Sequence, residues 1–148
     1  VLTDDAFEHA PHGVHRGRQR DRTRVERLLP REMPEIENVQ IVGSSLPSRY
    51  VGGDYFDFLS LADGRWGVAV GDVTGKGIPA ALLMATLQAC LHGQVIHPSS
   101  VAEVVARVND LMAASTDAHM FATFVYAVLD SDGCGLTVVC GSWSVVYV

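Results

Sequence analysis

A chain of 148 residues that is 48% hydrophobic has enough apolar side chain for one buried core, which excludes a wholly disordered polypeptide and leaves room for a single domain. The formal net charge of −6 is unevenly spread: seven of the eleven cationic residues fall between Arg16 and Arg31, while residues 32–148 carry twelve acidic and four basic side chains. The body of the chain should therefore repel nucleic acid, and the apolar run at residues 78–85, broken by Pro79, is too short to cross a membrane.

The acidic opening, residues 1–5, lacks the basic and apolar regions of a secretion signal, so a cytoplasmic protein is expected. His9, His12 and His15 read as a solvated tail, and the basic stretch 16–24 has no interleaved aromatic side chains to stack on bases, so it reads as a solvated linker or helix. Pro30 and Pro34 end this region, because proline cannot continue a helix and biases its predecessor toward extended geometry. Residues 1–34 are accordingly expected to be a tail and connector, and residues 35–148 the folded domain.

The domain begins with a strand expected at residues 38–46, then a loop leading to Gly52-Gly53. A second strand is expected at 54–61, and Ala62-Asp63-Gly64 is a hairpin signal joining it to an apolar strand that starts at Trp66 and ends at Asp72. The hairpin makes the two strands antiparallel neighbours, which places Asp54, at the head of one, beside Asp72, at the end of the other. Residues 79–91 form a helix apolar on nearly every side, expected to be largely buried and to end near Gly93 and Pro98. Ser100-Val101-Ala102-Glu103 is a capping box for a second helix, in which Val101, Val104, Val105, Val108, Leu111 and Met112 recur at helical spacing. Strands at 120–129 and 136–140 follow, joined by the turn Asp130-Ser131-Asp132-Gly133. Its two aspartates are not accompanied by the rest of a calcium loop. Helices set among antiparallel strands give an α+β fold. Cys90, Cys134 and Cys140 form no CxxC pair, so reduced and mostly buried thiols are expected, without zinc.

The chemistry concentrates in Val70-Gly71-Asp72-Val73-Thr74-Gly75-Lys76-Gly77-Ile78-Pro79. A strand delivers Asp72 to its end, Gly75 and Gly77 permit a tight turn, and the amides opening the next helix are natural anion binders. The same residues also suit a plain strand-to-helix turn in which Asp72 only bonds the loop. Val51-Gly52-Gly53-Asp54 supplies a second carboxylate. Two carboxylates at one spot repel unless a cation lies between them, and oxygen ligands suit Mg²⁺ or Mn²⁺. Lys76 offers positive charge to a phosphate or is simply an exposed loop lysine. Asp57, three positions after Asp54, projects to the other face of a regular strand and is a candidate only for an outer, supporting role. A nucleotide-binding P-loop is disfavoured: three residues, not four, separate Gly71 from Gly75, and Gly77 stands where Ser or Thr is needed.

Leu28-Leu29-Pro30, Val51-Gly52-Gly53-Asp54-Tyr55-Phe56-Asp57, the block from Gly71 to Ala85 and Phe121-Ala122-Thr123 together resemble, in order and spacing, the metal-dependent PPM (PP2C-like) serine/threonine phosphatases of the bacterial SpoIIE/RsbU type. The resemblance implies an antiparallel β-sandwich flanked by helices (α/β/β/α). It also implies two Mn²⁺ or Mg²⁺ ions held by Asp54, Asp72 and the Val73 backbone carbonyl, with Gly53, Gly75, Lys76 and Gly77 shaping the phosphate loop. The implied reaction is dephosphorylation of phosphoserine or phosphothreonine on a regulatory protein, such as an anti-sigma-factor antagonist in a stress or sporulation pathway. A helical connector at residues 23–29 would carry regulation. Relatives have two further metal-binding aspartates downstream, and where they have Ala-Gly-His this chain has Cys140-Gly141-Ser142. The domain is therefore expected to be incomplete at its C-terminus, with weakened metal binding and an apolar edge near Val145, Val146 and Val148. Self-association through that edge or the connector is expected. The alternative is a catalytically inactive, phosphatase-like module that binds a regulatory partner.

Overall fold

Period-two alternation builds the sheet: Tyr55, Asp57 and Leu59 turn to one face with Ala69, Val73, Phe124, Tyr126 and Val128, and the residues between them turn to the other. The computed structural model describes residues 28–30, 32–36, 39–45, 52–97, 99–115 and 120–143. Within these, the order is β1 (Asp54–Ser60), β2 (Trp66–Val73), α1 (Ile78–Val95), α2 (Val101–Ser115), β3 (Ala122–Leu129) and β4 (Leu136–Trp143). The strands lie side by side in chain order, every neighbour antiparallel. Both helices cover the inner face, α1 over β1 and β2 and α2 over β3 and β4. This is the expected α+β class, and one sheet with one helical layer is half of the α/β/β/α arrangement.

The turns form as their chemistry dictates. Gly64 adopts φ 81° at the β1–β2 hairpin, where Gly64 N–H donates to Leu61 O at 3.0 Å. The β3–β4 turn closes by Gly133 N–H to Asp130 O at 2.9 Å, so Asp130 and Asp132 belong to a hairpin, as expected. The capping box is complete: the Ser100 amide and hydroxyl donate to Glu103 Oε2 at 2.8 and 2.9 Å, and the Glu103 amide donates back to Ser100 Oγ at 3.3 Å.

Several expectations are corrected. Residues 39–45 contain no strand beyond an isolated Ile36–Val39 bridge. A strand needs a partner ladder, and the described residues offer none there. Instead Gly43 packs against the Phe56 and Phe58 rings on the outer face of β1. α1 runs through Gly93 to Val95, because one interior glycine costs a helix only about 1 kcal/mol. It is buried on one face only, through Ala80, Ala81, Leu83, Met84, Leu87 and Leu91, while Leu82 is 64% exposed, since a single sheet lies beneath it. By length and composition α1 could cross a membrane, contrary to the reading of its sequence, yet its buried face occupies the position of a core helix. Cys90 is half-buried and Cys134 and Cys140 are exposed, the latter two because they stand on the outer hairpin and strand. The connector at residues 23–27 and the edge at residues 144–148 lie outside the described residues; Leu28 and Leu29 form a turn.

Candidate functional site

The β1–β2 register pairs Asp54 directly with Asp72. Val73 N–H donates to Gly53 O at 3.3 Å, so the next pair along, Asp54 with Asp72, is of the type without mutual backbone bonds. In that type the side chains approach most closely, with Cα atoms about 4.5 Å apart. Both carboxylates are exposed, on the face away from the helices. On its far side Asp72 pairs with Thr123 of β3, extending the row to Asp54–Asp72–Thr123.

After Val73 the chain turns through Gly75 (φ 97°) and Gly77 (φ 80°) into α1. These are left-handed conformations that a Cβ would strain. Gly77 caps the helix without any side-chain hydrogen bond, Pro79 lies in the first turn, and no acidic residue does. The first-turn amides are thus free of side-chain caps and carry the positive end of the helix dipole. Lys76 is exposed on the same loop. The loop is tied down by Thr74, whose amide and hydroxyl both bond the Phe121 carbonyl, at 2.8 and 3.0 Å, and whose hydroxyl accepts from the Phe121 amide at 2.9 Å. Gly53 is needed for the same assembly: a Cβ there would lie 2.7 Å from the Val73 Cβ and press on the Val73 carbonyl oxygen.

The register therefore brings together Asp54, Asp72, Val73 and Gly53, and the Gly75–Lys76–Gly77 loop follows Val73 after one intervening residue in the chain. It does not bring Asp57 to them. Asp57 is on the inner face, 5% exposed, where Oδ2 accepts from Tyr55 Oη at 3.0 Å and Gln88 Nε2 at 3.2 Å and lies 2.7 Å from His92 Nε2, while Oδ1 accepts from the Phe58 amide at 2.8 Å. Gln88 Nε2 also donates to the Leu28 carbonyl at 2.7 Å, so this carboxylate braces α1 and the connector end against β1. Burial, and next the Asp57 charge, push the Tyr55 phenol far above its ordinary range. Sequence reasoning gave no role to Thr74, Thr123, Gln88 or His92. Thr74, inside the glycine loop, and Thr123, in the Phe121-Ala122-Thr123 block, carried local signals.

The donor set fits hard divalent cations in kind: it consists of carboxylate and carbonyl oxygens. Among the described residues no cluster of three or more His, Cys, Asp or Glu side chains gathers. At the opposite, hairpin end, a cleft of about 310 Å³ lies between Leu61, Arg65, Val95, His97, Val101 and Tyr126, remote from the acidic pair.

Residues 62–147 match the family model described as stage II sporulation protein E (SpoIIE). Over 108 residues the chain is 34% identical to the phosphoserine phosphatase RsbU of Bacillus subtilis, covering 71% of this chain and 31% of that protein. Over 66 residues it is 33% identical to protein IcfG of Synechocystis, covering 45% of this chain and 10% of that protein. A crystal structure of the RsbU and RsbW domains of a Mycobacterium tuberculosis protein aligns with a TM-score of 0.48 at 34% identity, over 55% of this chain and 22% of that one. The chain thus spans a third or less of each of these proteins.

Proposed function

The chain belongs to the SpoIIE family, and on that premise we propose that it takes part in metal-dependent removal of phosphate from phosphoserine or phosphothreonine on a regulatory protein, of the anti-sigma-factor-antagonist kind. The observation that carries the reading is the direct, exposed pairing of Asp54 with Asp72 on the outer face of the sheet. In this reading residues 35–148 are the phosphatase part and residues 1–34 the connector, in a cytoplasmic setting.

Asp54, Asp72 and the Val73 carbonyl would hold Mn²⁺ or Mg²⁺, which supplies a water acidified enough to attack phosphorus and charge to neutralise phosphoryl oxygens. The protein's own part is placement. Gly53 lets β1 approach Val73, Thr74 holds the loop to β3, and the helix after Gly77 begins without a side-chain cap, which leaves first-turn amides able to bind an anion.

The test is release of phosphate from a phosphoserine protein with Mn²⁺ present and absent, in the chain and in Asp72→Asn. Release that needs Mn²⁺ and Asp72 supports the proposal; release indifferent to both refutes it. One observation favours a second reading, a module that binds its partner without turnover: no third acidic side chain joins the pair among the described residues. Retained binding of the phosphoprotein with no release would select it.

A further inference from the structure

The cleft at the hairpin end of the sheet, about 310 Å³, is of the size that small-molecule pockets occupy, about 300–1,000 Å³. Leu61, Val95, Val104 and Val128 make its wall apolar. Tyr126, which also lines it, is 1% exposed and stacks on Phe124 with ring centroids 6.4 Å apart. Its phenol end lies over Gly67, where a Cβ would come within 2.7 Å of Oη, so the glycine makes room for the hydroxyl. Among the described residues Oη has no hydrogen-bond partner. No side-chain oxygen shut off from solvent lacks one, so the little surface that Tyr126 keeps is at this hydroxyl, in the cleft. Burial raises the phenol above its ordinary range, so it keeps a proton to donate. Arg65, on the same wall, commits Nε and Nη2 to Asp63 Oδ2 at 2.8 and 2.7 Å, which leaves Nη1 without a partner among the described residues.

We infer that this cleft binds a small organic acid, an aryl or short alkyl chain bearing one carboxylate, with the chain against the apolar wall and the carboxylate accepting from Tyr126 Oη and the Arg65 guanidinium. A buried hydroxyl without a partner is unfavourable, and an acceptor brought into the cleft removes that penalty. The head group is an acceptor because both unfilled groups can donate, and a carboxylate because one of them is a guanidinium, whose bonds to carboxylates are charge-assisted. Asp63 is half exposed, so water and salt screen its charge, while its two bonds hold the Arg65 fork in place. The inference is independent of the proposed function, since the cleft shares no residue with the acidic pair or the glycine loop. The competing explanation is a hydroxyl answered by ordered water alone.

Titration of the whole chain with 3-phenylpropionate, followed by the methyl NMR signals of Leu61, Val95, Val104 and Val128, separates the two, with 3-phenylpropanol as a probe of similar shape and no charge. The acid is expected to shift these methyls saturably and to bind about 10-fold more tightly than the alcohol. Tyr126→Phe keeps the ring and removes the hydroxyl, so it is expected to weaken the acid about 10-fold and to melt no earlier than the parent. Arg65→Gln, at a partly exposed position, is expected to erase the acid's advantage over the alcohol. No saturable shift at about 10 mM acid, equal affinity for acid and alcohol, or parental affinity for the acid in either variant overturns the inference. So do nuclear Overhauser contacts to Val104 and Val128 from residues outside the described ones, which would assign the cleft to a segment of this chain. Should Tyr126→Phe melt early, Arg65→Gln decides: a lost preference for the acid supports the inference, and a parental one overturns it.

Discussion

Thr74 and Phe121, 47 residues apart in sequence, hold each other by three hydrogen bonds, two of which use the Thr74 hydroxyl as both donor and acceptor. Phe121 N–H would otherwise seek the Thr74 carbonyl across the ladder, so the hydroxyl replaces a backbone partner at the point where β2 leaves the sheet. Thr74→Val keeps the side-chain shape and loses both hydroxyl bonds. It should lower stability by about 1–2 kcal/mol, read as a lower urea midpoint, with Thr74→Ser close to the parent. Equal midpoints for all three would show that the clamp contributes nothing.

Two glycines of the site should respond differently to alanine. At Gly53 the new methyl meets the Val73 backbone, and overpacking there should cost about 1–3 kcal/mol and loosen Mn²⁺ binding. At Gly75 it meets open space, so only the left-handed backbone is penalised, by about 1–2 kcal/mol. Metal titration of the two variants checks the contrast: the larger loss of affinity belongs to Gly53→Ala.

The facing carboxylates predict how the fold couples to metal. Mn²⁺ at about 100 times its dissociation constant should stabilise the chain by about 2.7 kcal/mol, reversed by chelator. Asp72→Asn should abolish that gain, yet in chelator it should be no less stable than the parent, because like charges directly opposite in a sheet are unfavourable by about 0.2–1 kcal/mol. Thermal melts with and without Mn²⁺ read both effects.

Alkaline pH should act through Tyr55. Its phenol, raised by burial and by the Asp57 charge, stays protonated in the fold when the unfolded chain has already ionised. The folded state then binds the extra proton, so stability present below about pH 10 is lost as pH rises, by about 1.4 kcal/mol per pH unit for this group. Tyr55→Phe lacks the group and should show a shallower decline between about pH 10 and 11.5, although it starts lower for want of the bond to Asp57. Parallel curves would exclude Tyr55 as the cause.

At the acid end, the Ser100 amide and then its hydroxyl hold the Glu103 carboxyl below its ordinary range. Its contribution is present above about pH 4.3 and fades as pH falls through the folded value. Glu103→Ala should therefore be destabilised at neutral pH and converge with the parent near pH 3, as followed by the helical circular-dichroism signal.

The acidic pair was legible because one local device decides it. The Ala62-Asp63-Gly64 hairpin makes β1 and β2 antiparallel, and alternation then leaves one register that buries Tyr55 and Leu59. The capping box was legible for the same reason, since every partner lies within four residues. What failed needs distant partners. Residues 38–46 have strand composition, but a strand exists only with a neighbour, and α1 looked buried all round because composition does not say how many layers will cover it. The face of Asp57 was predictable from spacing. Its partners Gln88 and His92, 31 and 35 residues away, depend on the rotation of α1 over the sheet, which no local pattern encodes.

Strand order gives the two aspartates unequal compliance. Asp72 rides on β2, laced to β1 on one flank and β3 on the other, whereas Asp54 begins a strand bonded, among the described residues, to β2 alone. Were ions of different radius exchanged in the proposed site, the change in span would fall on position 54. In the proposed site, size selectivity would therefore be governed by how firmly β1 is braced from beneath, through the Asp57 contacts to α1, and less by either carboxylate itself.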